Sequence, residues 1–481
     1  MKHSLFCRRA IVIGFLCSLS LGAMAQDHKT YIPETDPLAL QKLDTWQDLK
    51  FGLFMHWGIY SQWGIVESWA LCSEDEDWCR RENIENYEDF KKAYNNLKLS
   101  FNPQNFQPKR WADAAKAAGM KYMIFTTKHH DGFAMFDTQL SNFKVTDPLS
   151  PFSSDPRADI SKEVFNTFRD QNFMVGAYFS KPDWHSNDYW WERFATPDRH
   201  VNYNIARYPD KWENFVQFTQ GQINELMSDY GPIDILWLDG GWVRTVSDEE
   251  IENAKRNGRK RQSQDIRMHE IAQNARAKQP GILIVDREVP GPHQNYLTPE
   301  NQVPNQALPY PWETCMTMAT SWSYVPRDVY KSTRDLVHLL ADIVSKGGNL
   351  LLNIGPGPDG DWDPVAYQRL EGMGRWMDVN SDAIYGTRAH SQFRDEKFVF
   401  TKKKDSNTLY AIYLAEDNES MPATLSLNNI RPAQGSKIKL LGYSGNIPWQ
   451  LQADGKLLLR LPAAARAAKL PQEAWVFSLS L

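Results

Sequence analysis

The stretch Ile233-Asp234-Ile235-Leu236-Trp237-Leu238-Asp239-Gly240-Gly241-Trp242 decides the fold. Its near-continuous apolar run predicts a strand that is covered on both faces, as in a parallel barrel. Because side chains alternate along a strand, Trp237 and Asp239 share one face while Leu236 and Leu238 share the other. An aspartate at the C-terminal end of a barrel strand lies where catalytic groups are found, although it would also cap a turn. We expect the two glycines to let another molecule approach the backbone closely.

The same strand pattern recurs along the chain and alternates with helical patterns. We predict strands at 51–56, 122–127, 174–179, 233–239, 282–287 and 349–354. We predict helices at 111–118, 160–171, 211–230, 265–278, 329–346 and 364–378. This alternation predicts an α/β fold with a (β/α)8-like barrel as its closed form, over residues 26–387.

The pattern changes after residue 388 to short apolar runs separated by turns, which begin at 398, 409, 423, 437, 457 and 474. Asp454-Gly455 lies between 448–452 and 456–461 and is a hairpin signal. We therefore predict a C-terminal β-sandwich domain over residues 388–481.

The first 25 residues predict a secretory signal peptide, because basic residues precede an apolar run from Ala10 to Leu21 and the small-x-small sequence Ala23-Met24-Ala25. The expected location is therefore secreted or periplasmic. No later apolar run is long enough to predict a membrane span. A net charge of −5, from 54 basic and 59 acidic residues, argues against nucleic acid as a partner. Cys72 and Cys79 would be able to pair in an oxidising compartment, which the sequence does not decide.

Two further strand ends carry histidines. The run Phe51–Met55 leads into His56-Trp57-Gly58, which predicts an imidazole and an indole at the barrel mouth, and Glu67-Ser68-Trp69 follows. His129 and His130 are adjacent, so both reach one site only if their strand has ended. These histidines lack the spacing of a helical zinc motif, so no metal is expected and hydrogen bonding to hydroxyl groups explains them equally well.

A long connection follows Arg287 and leads past Glu300 to Trp312 and Glu313, and its length indicates function. Together these motifs provide a strand-end carboxylate, loop carboxylates, several histidines, an arginine and many aromatic side chains. This combination suits glycoside hydrolysis, in which two carboxyl groups flank the scissile bond.

The motifs Gly-Leu-Phe-Met-His-Trp-Gly, Thr-Lys-His-His-Asp-Gly-Phe, Leu-Trp-Leu-Asp-Gly-Gly-Trp and Asn-Leu-Leu-Leu-Asn-Ile-Gly-Pro occur in this order between residues 45 and 385. Together they resemble the α-L-fucosidases of glycoside hydrolase family 29. The resemblance implies a secreted, exo-acting, retaining enzyme that removes terminal α-L-fucose from a fucosylated oligosaccharide or glycoconjugate without metal or cofactor. It implies Asp239 as the nucleophile. The implied fucose-binding positions are His56, Glu67, Trp69, His129, His130, Tyr178, Trp237 and Arg287.

The chain departs from the family pattern at two positions: Phe179 stands where many members have tyrosine, and Ser68 separates Glu67 from Trp69. Glu300 is the expected acid/base, with Glu313 and Glu288 as the alternatives. Two other functions stay open at this point. One is a non-catalytic fucose-binding protein, and the other is a glycosidase of the same fold that acts on a related sugar such as galactose.

Overall fold

A computed structural model describes residues 31–72, 84, 86–196, 198–258 and 261–481. The expected signal peptide at 1–25 lies outside these residues, as does Cys79, so neither that segment nor the Cys72–Cys79 pairing is addressed. Among the described residues, no helix has the length and apolar character needed to cross a membrane.

Within the described residues, seven parallel strands form one curled sheet. In chain order they are β1 Phe51–Met55, β2 Tyr122–Lys128, β3 Met174–Ser180, β4 Ile235–Asp239, β5 Leu283–Asp286, β6 Glu313–Thr317 and β7 Asn349–Asn353. Their spatial order is β5-β4-β3-β2-β1-β7-β6. The main helices are α1 Pro37–Leu49, α2 Tyr87–Asn95, α3 Pro108–Ala117, α4 Ile160–Asp170, α5 Pro209–Asp229, α6 Asp248–Arg256, α7 Met268–Lys278, α8 Thr333–Ser345 and α9 Pro364–Asn380. Single 3-10 turns lie at Ile59–Gln62, Ser68–Cys72, Asn96–Leu99, Pro151–Ser154 and Ser381–Ala383.

An irregular segment, residues 294–301, fills the gap between the two edge strands, and we call it the seam. At one end Gln294 bridges Val285 of β5 in antiparallel fashion, and at the other Glu300 bridges Cys315 of β6 in parallel fashion. The Asn301 amide donates to the Cys315 carbonyl over 2.9 Å. The sheet therefore closes as the predicted (β/α)8-like barrel, with the seam in the place of an eighth strand.

The faces of β4 are those that the alternation predicts. Trp237 belongs to the cluster inside the barrel, whereas Leu236 and Leu238 belong to the cluster between the sheet and its helices. Burial of both faces explains why the strand carries an almost unbroken apolar run.

Helix α1 closes the barrel at its N-terminal end. Asp36 caps the helix by accepting from the amides of Leu38 and Ala39, and Lys50 ends it in the left-handed conformation with φ of 59°. Trp46 enters the barrel and stacks on Tyr296 of the seam, with ring centroids 4.0 Å apart. The bottom of the barrel is thus sealed by aromatic rings, which leaves the opposite end as the open one.

Two sequence-based interpretations need correction. Strand β6 was not predicted, because Glu313-Thr314-Cys315-Met316-Thr317 has neither an apolar run nor an alternating pattern. It forms because the buried Glu313 carboxyl finds hydrogen bonds on other strands, from Tyr122 and Trp237. Trp57 does not lie at the barrel mouth: its ring packs between sheet and helices, 5.5 Å from that of Trp111, and its N–H donates to the Gly357 carbonyl.

The C-terminal residues form two antiparallel sheets around their own core. Their strands are β8 Thr387–Asp395, β9 Phe398–Lys403, β10 Thr408–Leu414, β11 Thr424–Leu427, β12 Ile438–Leu440, β13 Asn446–Ile447, β14 Trp449–Leu451, β15 Leu457–Arg460 and β16 Ala474–Ser480, with a short helix α10 at Ala463–Arg466. The predicted hairpin is present as β14 paired with β15. The six-stranded sheet packs against the barrel helices, and the Trp376 indole of α9 donates to the Ala474 carbonyl over 2.9 Å.

Candidate active site

The Asp239 carboxylate lies at the C-terminal end of β4 and is surrounded by donors. Its Oδ2 accepts from the Tyr178 hydroxyl over 2.8 Å, and its Oδ1 accepts from the Gly240 amide over 2.8 Å and from Arg287 Nη1 over 3.0 Å. Burial by itself raises the pKa of this carboxyl, but the positive charge of Arg287 and the hydrogen bond from the Gly240 amide act in the opposite direction, and the pKa lies well below its usual range. Asp239 is therefore an anion at neutral pH.

Arg287 joins two carboxylates. While Nη1 binds Asp239, Nη2 donates to Glu300 Oε2 of the seam, and Glu300 Oε1 accepts from the Trp322 indole over 3.1 Å. The Glu300 side chain is 39% exposed, compared with 13% for Asp239. The rim thus holds one enclosed and one solvent-accessible carboxylate on a single guanidinium.

The other two glutamates considered as acid/base have different surroundings. Glu288 lies 3.4 Å from Arg287 Nη2, but its side chain is 57% exposed and points toward solvent. Glu313 begins β6 and is fully buried, where its oxygens accept from the Tyr122 hydroxyl over 2.8 Å and from the Trp237 indole over 3.2 Å. Burial raises the pKa of Glu313 to about 7. Since Tyr122 begins β2, Glu313 lies at the opposite end of the strands from Asp239.

The three histidines converge beside Asp239. Strand β2 ends at Lys128, so His129 and His130 follow it, which is the condition under which both were expected to reach one site. Their ring centroids are 4.2 Å apart. His130 Nε2 is 3.8 Å from Asp239 Oδ2, and the His56 ring is 5.7 Å from that of His129. Burial lowers the pKa of His56 to about 4 and that of His130 to about 3, and it lowers the pKa of His129 as well. All three imidazoles are therefore neutral at neutral pH.

Glu67 and Trp69 reach the same rim from different sides despite the intervening Ser68. Glu67 is buried and accepts from the Ser323 amide over 2.7 Å. Burial, with a smaller contribution from the charge of Glu300, raises the pKa of Glu67 to about 8. The Trp69 ring is half-buried and lies edge-on to His130, with centroids 5.3 Å apart.

Aromatic rings form the floor beneath Asp239. Tyr178 stacks on Trp237 with centroids 5.4 Å apart, and Trp237 holds the Glu313 carboxyl one layer deeper. Arg287 lies over the Trp237 ring, 5.4 Å from its centroid. Both rings are buried, so they hold the carboxylate and the guanidinium in place from below.

The glycines after Asp239 are needed by the chain itself. A Cβ on Gly241 would lie 2.9 Å from the Arg287 carbonyl oxygen, and Gly240, with φ of +86°, packs against Pro182. Neighbouring loops thus fill the space that a side chain at either position would need, and the expectation that the glycines admit another molecule stays a prediction.

Two tryptophans of the rim were missed in the sequence. Trp322 contacts Glu300 and lies 5.0 Å from the His56 ring, and Trp242 lies 5.2 Å from the His130 ring. Trp242 belongs to the Asp-Gly-Gly-Trp motif, so its position after the strand was the available signal. Trp322 follows β6, which was not predicted, so the sequence did not indicate that this tryptophan lies at the rim.

A buried ion pair ties together the strands on either side of β4. Lys181 follows β3, Asp286 ends β5, and Nζ and Oδ1 are 2.5 Å apart with both side chains buried. The Lys181 amide also donates to the Asp239 carbonyl over 3.0 Å. The pair thus fixes the backbone on both sides of the carboxylate.

Among the described residues, His129, His130 and Asp239 have donor atoms within 4.8 Å of one another, the spacing of a metal site. Their other contacts oppose a cation. Arg287 already matches the charge of Asp239, so a divalent ion would be placed beside a guanidinium of like charge.

Comparison with known proteins gives matches along nearly the whole chain. The alpha-L-fucosidase family model matches residues 18–382, and the alpha-L-fucosidase C-terminal domain model matches residues 392–480. The alpha-L-fucosidase of Branchiostoma floridae is 28% identical over 97% of this chain and 99% of its own length. The structure of alpha-L-fucosidase isoenzyme 1 from Paenibacillus thiaminolyticus is 30% identical, covers 92% of this chain and 99% of its own, and has a TM-score of 0.72. A GH29 alpha-L-fucosidase from Bacteroides thetaiotaomicron, solved as a trapped covalent intermediate, shares the fold at 22% identity and a TM-score of 0.70, over 94% of this chain and 98% of its own.

Proposed function

Because this chain belongs to the alpha-L-fucosidase family of glycoside hydrolases, we propose that it is an exo-acting enzyme that removes terminal α-L-fucose with retention, using Asp239 as nucleophile and Glu300 as acid/base. The observation that carries the assignment is the guanidinium of Arg287 bound to both carboxylates. Sharing one guanidinium holds the two carboxylates close together, which suits the roughly 5–5.5 Å separation of a retaining glycosidase.

In the first step, Asp239 attacks the anomeric carbon and the bond to the leaving oxygen breaks. Its depressed pKa keeps the attacking oxygen ionised, and the hydrogen bonds from Tyr178 and Arg287 aim it. The product is a fucosyl ester of Asp239 with inverted configuration. The trapped covalent intermediate of the Bacteroides relative supports this route.

In the same step the protonated form of Glu300 gives its proton to the leaving oxygen, and the resulting carboxylate then takes a proton from the water that cleaves the ester. Its partial exposure suits both roles, because the leaving group departs and the water arrives on the open side of the rim. Glu313 does not suit them, since it is enclosed at the opposite end of the barrel.

We assign substrate binding to the side chains around Asp239: His56, Glu67, Trp69, His129, His130, Tyr178, Trp237 and Arg287. The neutral imidazoles exchange hydrogen bonds with sugar hydroxyls, and Trp69 offers an apolar face to the ring. The substrate is a fucosylated oligosaccharide or glycoconjugate. We further propose that residues 1–25 are a signal peptide that directs secretion, that residues 26–387 are the catalytic domain and that residues 388–481 are a β-sandwich domain.

The test uses an aryl α-L-fucoside, the wild-type protein and three variants, Asp239→Gly, Glu300→Ala and Glu288→Ala. Azide restores turnover to Asp239→Gly by attacking the substrate directly and gives β-L-fucosyl azide. With Glu300→Ala it attacks the enzyme ester and gives α-L-fucosyl azide. The exposed Glu288→Ala serves as the matched control and keeps near wild-type activity.

The azide products separate the two roles because their anomeric configurations are opposite. Loss of activity in Glu288→Ala with retention in Glu300→Ala would move the acid/base role to Glu288. If the wild-type protein is inert on this fucoside but hydrolyses the aryl β-D-galactoside, the substrate assignment changes from fucose to galactose.

A further inference from the structure

The Nδ1 atom of each of the three site histidines is bonded to a different buried polar side chain. His56 Nδ1 lies 2.8 Å from Asn353 Oδ1, His130 Nδ1 lies 2.8 Å from Ser180 Oγ, and His129 Nδ1 lies 2.6 Å from Ser68 Oγ. In a neutral imidazole one nitrogen carries the proton and the other accepts. These partners therefore determine what each Nε2 offers to a ligand.

For His56 the partner is necessarily an acceptor. The Asn353 amide group donates to the Trp322 carbonyl over 2.7 Å, and only its nitrogen is able to do so. The atom that faces His56 is therefore the amide oxygen, which accepts from Nδ1–H. His56 Nε2 is left with its lone pair exposed to the site.

For His130 the partner is also an acceptor, because the Ser180 hydroxyl has only one hydrogen to donate. The Ser180 hydroxyl donates to the Pro182 carbonyl over 2.6 Å, because a carbonyl oxygen has no proton to give. Because the hydroxyl hydrogen is used in this bond, Ser180 Oγ accepts from His130 Nδ1–H. His130 Nε2 then faces Asp239 Oδ2 across 3.8 Å as a second acceptor.

For His129 the partner is a donor. The Ser68 hydroxyl accepts from the Asp131 amide over 2.9 Å with one lone pair, and we assign its single hydrogen to the bond with His129 Nδ1, 2.6 Å away. The nitrogen that Ser68 leaves free is Nε2, and a ring nitrogen of His129 lies within 4.8 Å of the Asp239 carboxylate.

We propose that the site holds its histidines in unlike tautomers: His56 and His130 present Nε2 as an acceptor, and His129 presents Nε2–H as a donor. Asn353, Ser180 and Ser68 are the positioning residues that enforce this pattern. This inference rests on the proposed function, in which these imidazoles bind the sugar. It specifies a substrate whose hydroxyls donate to His56 and His130 and accept from His129, and it gives Ser68, between Glu67 and Trp69, a positioning role.

The tautomers are measured directly by two-bond ¹H–¹⁵N correlation spectra of the full chain labelled with ¹⁵N-histidine. His56→Gln, His129→Gln and His130→Gln variants assign the signals. We expect a protonated Nδ1 in His56 and His130 and a protonated Nε2 in His129. A protonated Nε2 in His56 or His130, or a protonated Nδ1 in His129, would overturn the proposal.

Two variants test the positioning residues. Ser180→Ala removes the acceptor for Nδ1–H, so we expect His130 to shift toward the Nε2–H tautomer and kcat/KM on aryl α-L-fucoside to fall roughly tenfold or more. Ser68→Ala removes the donor to His129 Nδ1, so we expect His129 to shift toward the Nδ1–H tautomer. We expect kcat/KM to fall by a similar factor. The matched control is Ser161→Ala, which removes a buried hydroxyl bonded to the Met135 carbonyl far from the rim and changes neither spectrum nor rate.

The two claims fail separately. Unchanged tautomers in Ser180→Ala and Ser68→Ala would remove the positioning role even if wild-type protein hydrolyses fucosides. An inert wild-type protein with the expected tautomers would instead remove the proposed function, because the resting histidines are measured without substrate.

Discussion

Asp239 and Arg287 form an enclosed ion pair in which Oδ1 and Nη1 are 3.0 Å apart. Asp239 ends β4 and Arg287 directly follows the adjacent β5, since Leu238 of β4 is in register with Asp286 of β5. The guanidinium also holds Glu300 on the seam, so one side chain contacts both proposed catalytic groups.

Replacement of Arg287 by methionine is therefore expected to change the pH dependence of activity. Arg287 is the largest of the influences that lower the pKa of Asp239, and its loss raises that pKa. A nucleophile acts when deprotonated, so the acidic limb of the kcat/KM profile moves to higher pH. The measurement is the pH–rate profile on aryl α-L-fucoside. Arg244→Met, which breaks a pair with Glu250 outside the site, should leave the limb in place; an unmoved limb in Arg287→Met would show that Arg287 does not control this carboxyl.

Glu300→Gln is expected to impair substrates with poor leaving groups most. A protonated acid assists departure of a sugar oxygen, whereas a nitrophenolate leaves with little help. The ratio of variant to wild-type kcat/KM should thus be at least roughly tenfold lower for a fucosyl disaccharide than for a nitrophenyl fucoside. Glu288→Gln, on the same connection, should show equal ratios for both substrates. Equal ratios in Glu300→Gln would assign the acid role elsewhere.

Glu313→Gln is expected to stabilise the protein near neutral pH and to leave activity largely intact. The folded pKa of Glu313 is about 7 against an ordinary 4.5, so the folded state binds more protons between these values and wild-type stability falls as pH rises through them. The shift corresponds to on the order of 3 kcal/mol. Glutamine keeps an acceptor for Trp237 and offers a donor to Tyr122. Melting temperatures of variant and wild type should diverge from pH 5 to pH 7.5; a constant difference would mean that Glu313 titrates normally.

Lys181→Met is expected to destabilise the protein, because it leaves the Asp286 carboxylate buried without its partner. The loss should be about 3–5 kcal/mol, seen as a lower urea midpoint. The double variant Lys181→Met with Asp286→Leu removes both charges and should recover much of the loss. If the double variant is as unstable as the sum of the single ones, the two side chains act independently and the pair does not tie β3 to β5.

Six of the seven barrel strands and the six helices named from sequence are present, because each carries its own periodic signal. The strand ending in Asp239 is the clearest case, since burial of both faces shows directly in its composition. Strand β6 lacks such a signal: Glu313 is tolerated there only because Tyr122 and Trp237, far away in sequence, donate to it. A strand that is stabilised by residues far away in the sequence cannot be predicted from its local pattern.

The same limit applies to the site. Asp239, His56, His129, His130 and Arg287 were recognisable because they lie at or just after strand ends in motifs that resemble the family, and the structure brings them together. Trp322 and Asn353 were not recognisable as partners of Glu300 and His56, because each contact joins loops or strands that only the closed barrel brings close. The choice between Glu300 and Glu313 likewise depended on which end of the barrel each one faces.

The seam also gives the barrel freedom to tolerate changes in length. In a regular strand, inserting one residue turns every later side chain to the opposite face. The seam makes isolated bridges to β5 and β6 instead of a continuous ladder, so residues added between Glu288 and Gln294 shift no register. The bridges at Gln294 and Glu300 hold the seam on β5 and β6. Loop transplantation or length libraries across 288–293 would thus leave Glu300, and the β4 framework around Asp239, where they are.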